Sequence, residues 1–211
     1  MKKEDIPDVV IRRLPVYLRV LENLCEDSYG NIISSFKLGE KSGVSPAQVR
    51  KDLGIVGAFG KQGLGYDIGS LRSRLKHILN LDKEIKVGII GVGNLGHAIA
   101  RYIIQRYDAE EDYHLKLVAL FDSNPGVIGE LINGIPIDHI HRFHDKALEL
   151  GFRMVVIAVP AEAAQTVMDQ CAFAGIEAVL NFAPVHLKAP EGIRVHNTDL
   201  SVDLMHLAYY L

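Results

Sequence analysis

Ile85-Lys86-Val87-Gly88-Ile89-Ile90 runs directly into Gly91-Val92-Gly93-Asn94-Leu95-Gly96, and this stretch decides the fold. A short apolar run followed by G-x-G-x-x-G is the pattern of a strand turning into a helix in a dinucleotide-binding unit. Gly91 permits the tight turn, Gly93 lets the backbone approach a pyrophosphate, and Gly96 lets helix pack on strand. The amides at the helix start then receive the phosphate charge. The spacing alone is a weak signal; its context is stronger. Leu117-Val118-Ala119-Leu120-Phe121 runs into Asp122 at a strand end. A carboxylate there can bond the ribose hydroxyls and would repel a 2′-phosphate, favouring NAD(H) over NADP(H). Asp122 lies further from Gly91 than the usual ~20 residues, and the acidic stretch Asp108–Asp112 is read as a loop that takes up the excess. A strand-end Asp with a purely structural role is the alternative.

Outward from this motif, short apolar strands alternate with helical stretches, the signature of a parallel sheet covered by helices. The strands are expected at 85–90, 115–121, 154–159, 178–182 and 193–195. Val159-Pro160 and Asn181-Phe182-Ala183-Pro184 follow two of them, on the carboxyl edge where such sheets bind ligands. Val159, Pro160, Asn181 and Ala183 therefore join Val92, Asn94, Leu95, the three glycines and Asp122 as candidate cofactor contacts. No catalytic set is visible: no Ser or Cys sits in a nucleophile elbow. His139, His141 and His144 form the one histidine cluster and read as a polar loop rather than a metal site.

An entire small domain precedes the motif. Val16, Val20, Leu21 and Leu24 have helical spacing, which predicts a first helix over about residues 7–27, broken at Gly30-Asn31. Ser35 is expected to cap a short helix ending at Gly43. Ser45 and Pro46 start another. In that third helix Val49, Leu53 and Val56 fall at i, i+4 and i+7 and must face the core. Ala47, Gln48, Arg50 and Lys51 are thereby placed towards its outer faces, near the end that a helix-turn-helix directs into the major groove. Gln can bond adenine bidentately, Arg or Lys guanine, and Ala can touch a thymine methyl. A solvated face of a helical bundle is the competing reading. Gly57–Tyr66 then has the composition of a β-hairpin wing, with Lys61 and Gln62 among four glycines and Tyr66 at its end. Leu71, Leu75, Ile78 and Leu79 give a linking helix closed near Asn80.

Composition agrees with this division. The 211 residues, 48% apolar and 23% charged, suit a globular protein of one large or two small domains. No apolar stretch reaches membrane-spanning length and no signal-peptide pattern opens the chain, so a cytoplasmic protein without a membrane partner is expected. Cys25 and Cys171 read as reduced, mostly buried thiols. Residues 1–84 carry 14 Lys/Arg against 11 Asp/Glu, and residues 85–211 carry 9 against 15. A basic front on an acidic body suits a polyanion-binding module joined to something else.

Taken together, the segments Ala47–Leu53, Gly60–Tyr66, Gly91–Gly96, Val159–Gln165, Asn181–Val185 and Asp199-Leu200 resemble the Rex family. These are bacterial redox-sensing transcriptional repressors that respond to the NADH/NAD+ ratio. The resemblance covers essentially the whole chain. It implies an α/β protein with a winged-helix DNA-binding domain (1–84), a Rossmann NAD(H)-binding domain (85–198) and a C-terminal helix (199–211) swapped onto a partner subunit. It further implies a homodimer on palindromic double-stranded operator DNA, released by NADH, without enzymatic activity. By position, Arg19, Asp199 and Tyr102 look like the family's switch residues. Three departures stand out: Gln62 where the wing usually has Arg, Gly54-Ile55-Val56-Gly57 where Ser and aromatics usually follow, and Asn124 in place of an aspartate. The rival readings are an NAD-dependent dehydrogenase with an accessory N-terminal domain, and a Rossmann-like CoA- or nucleotide-binding subunit.

Overall fold

The computed structural model describes residues 6–24, 31–58, 60, 64–111 and 113–211. The wing candidates Lys61 and Gln62, and Cys25, lie outside the described residues. The chain divides into two compact units, Met1–Lys83 and Glu84–Leu211.

In the first unit, helices α1 (Asp8–Ile11) and α2 (Leu14–Glu22) replace the single helix expected there. Pro15 explains the break: it lacks an N–H, and its ring clashes with the carbonyl four residues back. Strand β1 (Ile32–Ile33) leads to α3 (Ser35–Ser42), whose cap is Ser34, not Ser35; the Ser34 hydroxyl accepts from the Lys37 amide at 3.1 Å. Gly43, with φ +69°, ends α3. After a short turn, α4 (Pro46–Ile55) begins behind its cap Ser45, with Pro46 in the first turn. Strand β2 (Tyr66–Asp67) pairs antiparallel with β1, and α5 (Ile68–Ile78) follows. Leu14, Tyr17, Leu38, Val49, Leu53, Val56 and Leu75 have no exposed surface and form the core. Val49, Leu53, Val56 and Leu75 are where the helical spacing put them, whereas Val16 of the expected first helix is exposed.

The second unit is a seven-stranded sheet ordered β5-β6-β4-β3-β7-β8-β9. Its strands are β3 (Ile85–Ile90), β4 (Leu115–Asp122), β5 (Leu131–Ile132), β6 (Ile135–His139), β7 (Met154–Ile157), β8 (Ala178–Asn181) and β9 (Arg194–Asn197). All neighbours are parallel except the β5–β6 hairpin. Helices α6 (Asn94–Ala109), α7 (Phe143–Leu150) and α8 (Ala161–Phe173) connect them. Asp108 and Ala109 belong to the last turn of α6, so a sixteen-residue helix, more than a loop, accounts for the distance to Asp122. His139 ends β6, and Ile140–Arg142 form a 3₁₀ turn into α7, so the histidine cluster is more ordered than a loop. Among the described residues no cluster of His, Cys, Asp and Glu has metal-binding geometry. The chain builds β3, β4 and β6 outward on one side, then crosses to β7, β8 and β9 on the other. The reversal places a crevice at the carboxyl ends of β3 and β7, the switch point of a doubly wound sheet. Cys171, buried on α8, has its thiol pushed up to about 12 by burial. Helix α9 (Leu200–Ala208) closes the chain with no buried residue.

Candidate nucleotide cleft and nucleic-acid interface

The crevice at the switch point is a cleft of about 650 Å3. Gly91 opens it with φ +90°, and a Cβ there would stand 2.5 Å from the Ala158 carbonyl oxygen. Gly96 has no room either: its Cβ would lie 1.8 Å from the Gly91 carbonyl oxygen. Gly93 is the opposite case, facing open space, and it caps α6 without a side-chain hydrogen bond. The amides of the first turn of α6 therefore keep donors for a ligand anion, reinforced by the helix dipole. The Asp122 carboxylate stands beside this loop. Its Oδ2 accepts from the Val92 amide at 2.6 Å and its Oδ1 from the Asn124 amide at 2.8 Å. An ionised carboxylate has about four acceptor sites, so two remain for hydroxyls. An anion-accepting helix start, an open Gly93 and a strand-end carboxylate fit an NAD-type dinucleotide; the loop would hold its pyrophosphate and Asp122 its adenosine ribose.

Gly91, Gly93, Asn94, Leu95, Asp122, Val159 and Pro160 all line this cleft. Val92 is buried and takes part through its amide. Asn181 and Ala183 are placed differently. Asn181 has no exposed surface; its Nδ2 donates to the carbonyls of Ala183 and Val185 and to Asn197 Oδ1, and its Oδ1 accepts from the Ala183 amide. It ties down the loop after β8 instead of facing the cleft. Ser123, Ile140, Thr166 and Gln170 also line the cleft and were not among the sequence candidates. Their positions after β4 and β6 and along α8, on the carboxyl edge, were the available signal.

In the first unit, α3, the turn at Gly43 and α4 form the helix-turn-helix. Ala47, Arg50 and Lys51 are exposed on α4, with Arg50 donating to Ser35 Oγ at 3.0 Å. Two orientations differ from the sequence expectation. Gln48 is half-buried and donates from Nε2 to Asp52 Oδ1 at 2.7 Å, because a buried carboxylate one turn on needs that donor. Tyr66 is buried where β2 meets β1, and burial raises its phenol above the ordinary value, against a smaller opposing pull from Arg50. Arg19 is exposed on α2. Tyr102, on α6, is exposed and its hydroxyl accepts from Arg106 at 3.3 Å. Asp199 caps α9, accepting from the Ser201 amide at 2.9 Å.

Comparison with known proteins gives the same division. The CoA binding domain family matches residues 82–185, and the family described as "Putative DNA-binding protein N-terminus" matches residues 5–54. The redox-sensing transcriptional repressor Rex of Brevibacillus brevis is 41% identical over 210 residues, covering 100% of this chain and 99% of that protein. The Rex of Streptomyces coelicolor is 38% identical, over 99% of this chain and 79% of its own. Among solved structures, RSP, a Rex-family repressor, in complex with β-NAD+ and operator DNA is 36% identical, with a TM-score of 0.85 over 97% of this chain and 92% of that one. The same repressor in complex with β-NADH gives 0.82, over 97% and 93%. The chain belongs to the Rex family of redox-sensing transcriptional repressors.

Proposed function

We propose that this chain is a homodimeric repressor that reads palindromic operator DNA through α4 and leaves it when NADH binds the cleft. The observation that carries this reading is the cleft itself: an uncapped helix start behind an open Gly93, with the Asp122 carboxylate beside it. That arrangement accepts a dinucleotide whose adenosine ribose bears no phosphate. The CoA ribose carries a 3′-phosphate, which Asp122 would repel, so what this chain shares with the CoA binding domain family is the nucleotide-binding fold. The relatives are named as transcriptional repressors, which speaks against a dehydrogenase. Among the described residues no helix is long and apolar enough to cross a membrane, in keeping with work in the cytoplasm, where the DNA is.

In this reading Ala47, Arg50 and Lys51 meet the major groove, Lys61 and Gln62 the backbone, and α9 packs onto the partner subunit. NADH closes the two nucleotide-binding units together and moves the two recognition helices out of register with successive half-sites. The nucleotide must favour the closed form, since equal affinity for both forms would shift nothing. Arg19 and Asp199, near Tyr102, would form an ion pair in one of the two states. Fluorescence anisotropy of a duplex selected from random DNA, titrated with protein alone, with NAD+ and with NADH, tests this. Binding should be lost with NADH and retained with NAD+. Equal binding under all three conditions would refute redox control.

A further inference from the structure

One side chain of the recognition helix points away from any groove. Asp52 has no exposed surface, yet it stays ionised in the core of the first unit. Burial pushes its carboxyl up; hydrogen bonds from Arg13, Tyr17 and Gln48 outweigh that and hold it below the ordinary range. Arg13 donates twice, from Nε at 2.6 Å and Nη2 at 2.8 Å, and the Tyr17 hydroxyl donates at 2.7 Å; both belong to the α1–α2 side of the unit. Gln48 supplies the fourth bond, from one turn earlier on α4 itself. Four donors saturate a carboxylate. A buried charge stripped of a partner is costly, so α4 cannot roll or slide on α2 without breaking the set. The Gln48 amide, at the groove-facing end of the helix, is committed to the same carboxylate.

We infer that Asp52 fixes the seating of α4 on α2 and that Gln48 is a positioning residue for the DNA-reading helix, leaving base selection to Ala47, Arg50 and Lys51. The inference rests on the DNA-binding reading above. It predicts that the network governs affinity for every duplex alike, because it sets the angle of the whole helix and touches no base.

The test is duplex selection followed by anisotropy titration with the unaltered full-length chain, Gln48→Ala and Tyr17→Phe, repeated on each single-base-pair change of the selected site. All three proteins should select the same sequence. Both variants should bind every duplex more weakly by a common factor on the order of tenfold, with an unchanged salt slope because the phosphate contacts are the same. Loss of discrimination at one base pair in Gln48→Ala alone would make Gln48 a base reader and overturn the inference. Lowered melting temperatures with unaltered DNA binding in both variants would reduce the network to a structural prop and also overturn it. If the unaltered chain selects no duplex although it binds NADH, the DNA-binding reading falls and the inference with it. That outcome is visible before any variant is compared.

Discussion

Gly93 and Gly96, on the same loop, respond in opposite ways to one added methyl group. At Gly96 the new Cβ would meet the Gly91 carbonyl oxygen at 1.8 Å, and backbone cannot rotate aside as a side chain can. Overpacking of this kind costs about 1–3 kcal/mol, more than the roughly 0.5–1 kcal/mol that Ala gains over Gly within a helix. Gly96→Ala should therefore lower stability and abolish nucleotide binding together. Gly93 has a negative φ and faces open space, so Gly93→Ala should leave stability within about 0.5 kcal/mol. Its methyl occupies the place where the pyrophosphate must approach, and NADH affinity should fall about tenfold or more, or roughly 1.4 kcal/mol. Thermal melts alongside NADH fluorescence titrations separate the two. Equal NADH affinity in Gly93→Ala and the unaltered chain would remove the loop from the binding site.

At the scale of elements, the seating of α4 carries a pH signature. The native pKa of Asp52 is depressed, so its stabilising contribution is complete above the ordinary carboxylate range and is lost as pH falls through the lower native value. Asp52→Asn should destabilise the first unit by about 3 kcal/mol near neutral pH, the lower end for breaking a buried pair, since Arg13 keeps partial solvent access. The loss should shrink below pH ~4, as the unaltered protein's own carboxylate protonates. Urea unfolding across pH measures both, and a pH-independent difference would contradict the role given to this ionised group. The carboxylate itself could be placed in the sequence, one turn from Gln48, but its partners could not: Arg13 and Tyr17 lie 39 and 35 residues away. Features fixed by local backbone chemistry were readable, among them the glycine loop, the Ser45-Pro46 helix start and the buried Val49, Leu53 and Val56. The β5–β6 hairpin was missed because β5 has only two residues and Pro136 and Asp138 interrupt the apolar run of β6. Asn133-Gly134, both with positive φ, carried its turn signal. Ile140, Thr166 and Gln170 carried only a positional signal, on the carboxyl edge; that they form one wall of the cleft depends on which faces of neighbouring segments meet across the sheet.

At the scale of the whole molecule, α9 is the part that one chain leaves unexplained. Leu200, Leu204, Met205 and Leu207 are each more than half exposed, as are Tyr209 and Tyr210 beyond the helix. A nine-residue helix is too short to hold its shape in water unaided, and an apolar surface of this kind marks an interaction site. A second copy of the chain supplies the matching partner under the proposed function, and two copies are what a palindromic site requires. Removal of residues 199–211 should then give a monomer in sedimentation, with the dinucleotide cleft, built wholly from residues before Asp199, still binding NADH within a few-fold of the full chain. Operator affinity should fall about 100-fold or more, because each half-site would be held by one DNA-binding unit without the avidity of the pair. A truncated protein that remains dimeric would assign α9 another role, and one that becomes monomeric yet keeps full operator affinity would separate DNA reading from dimerisation altogether.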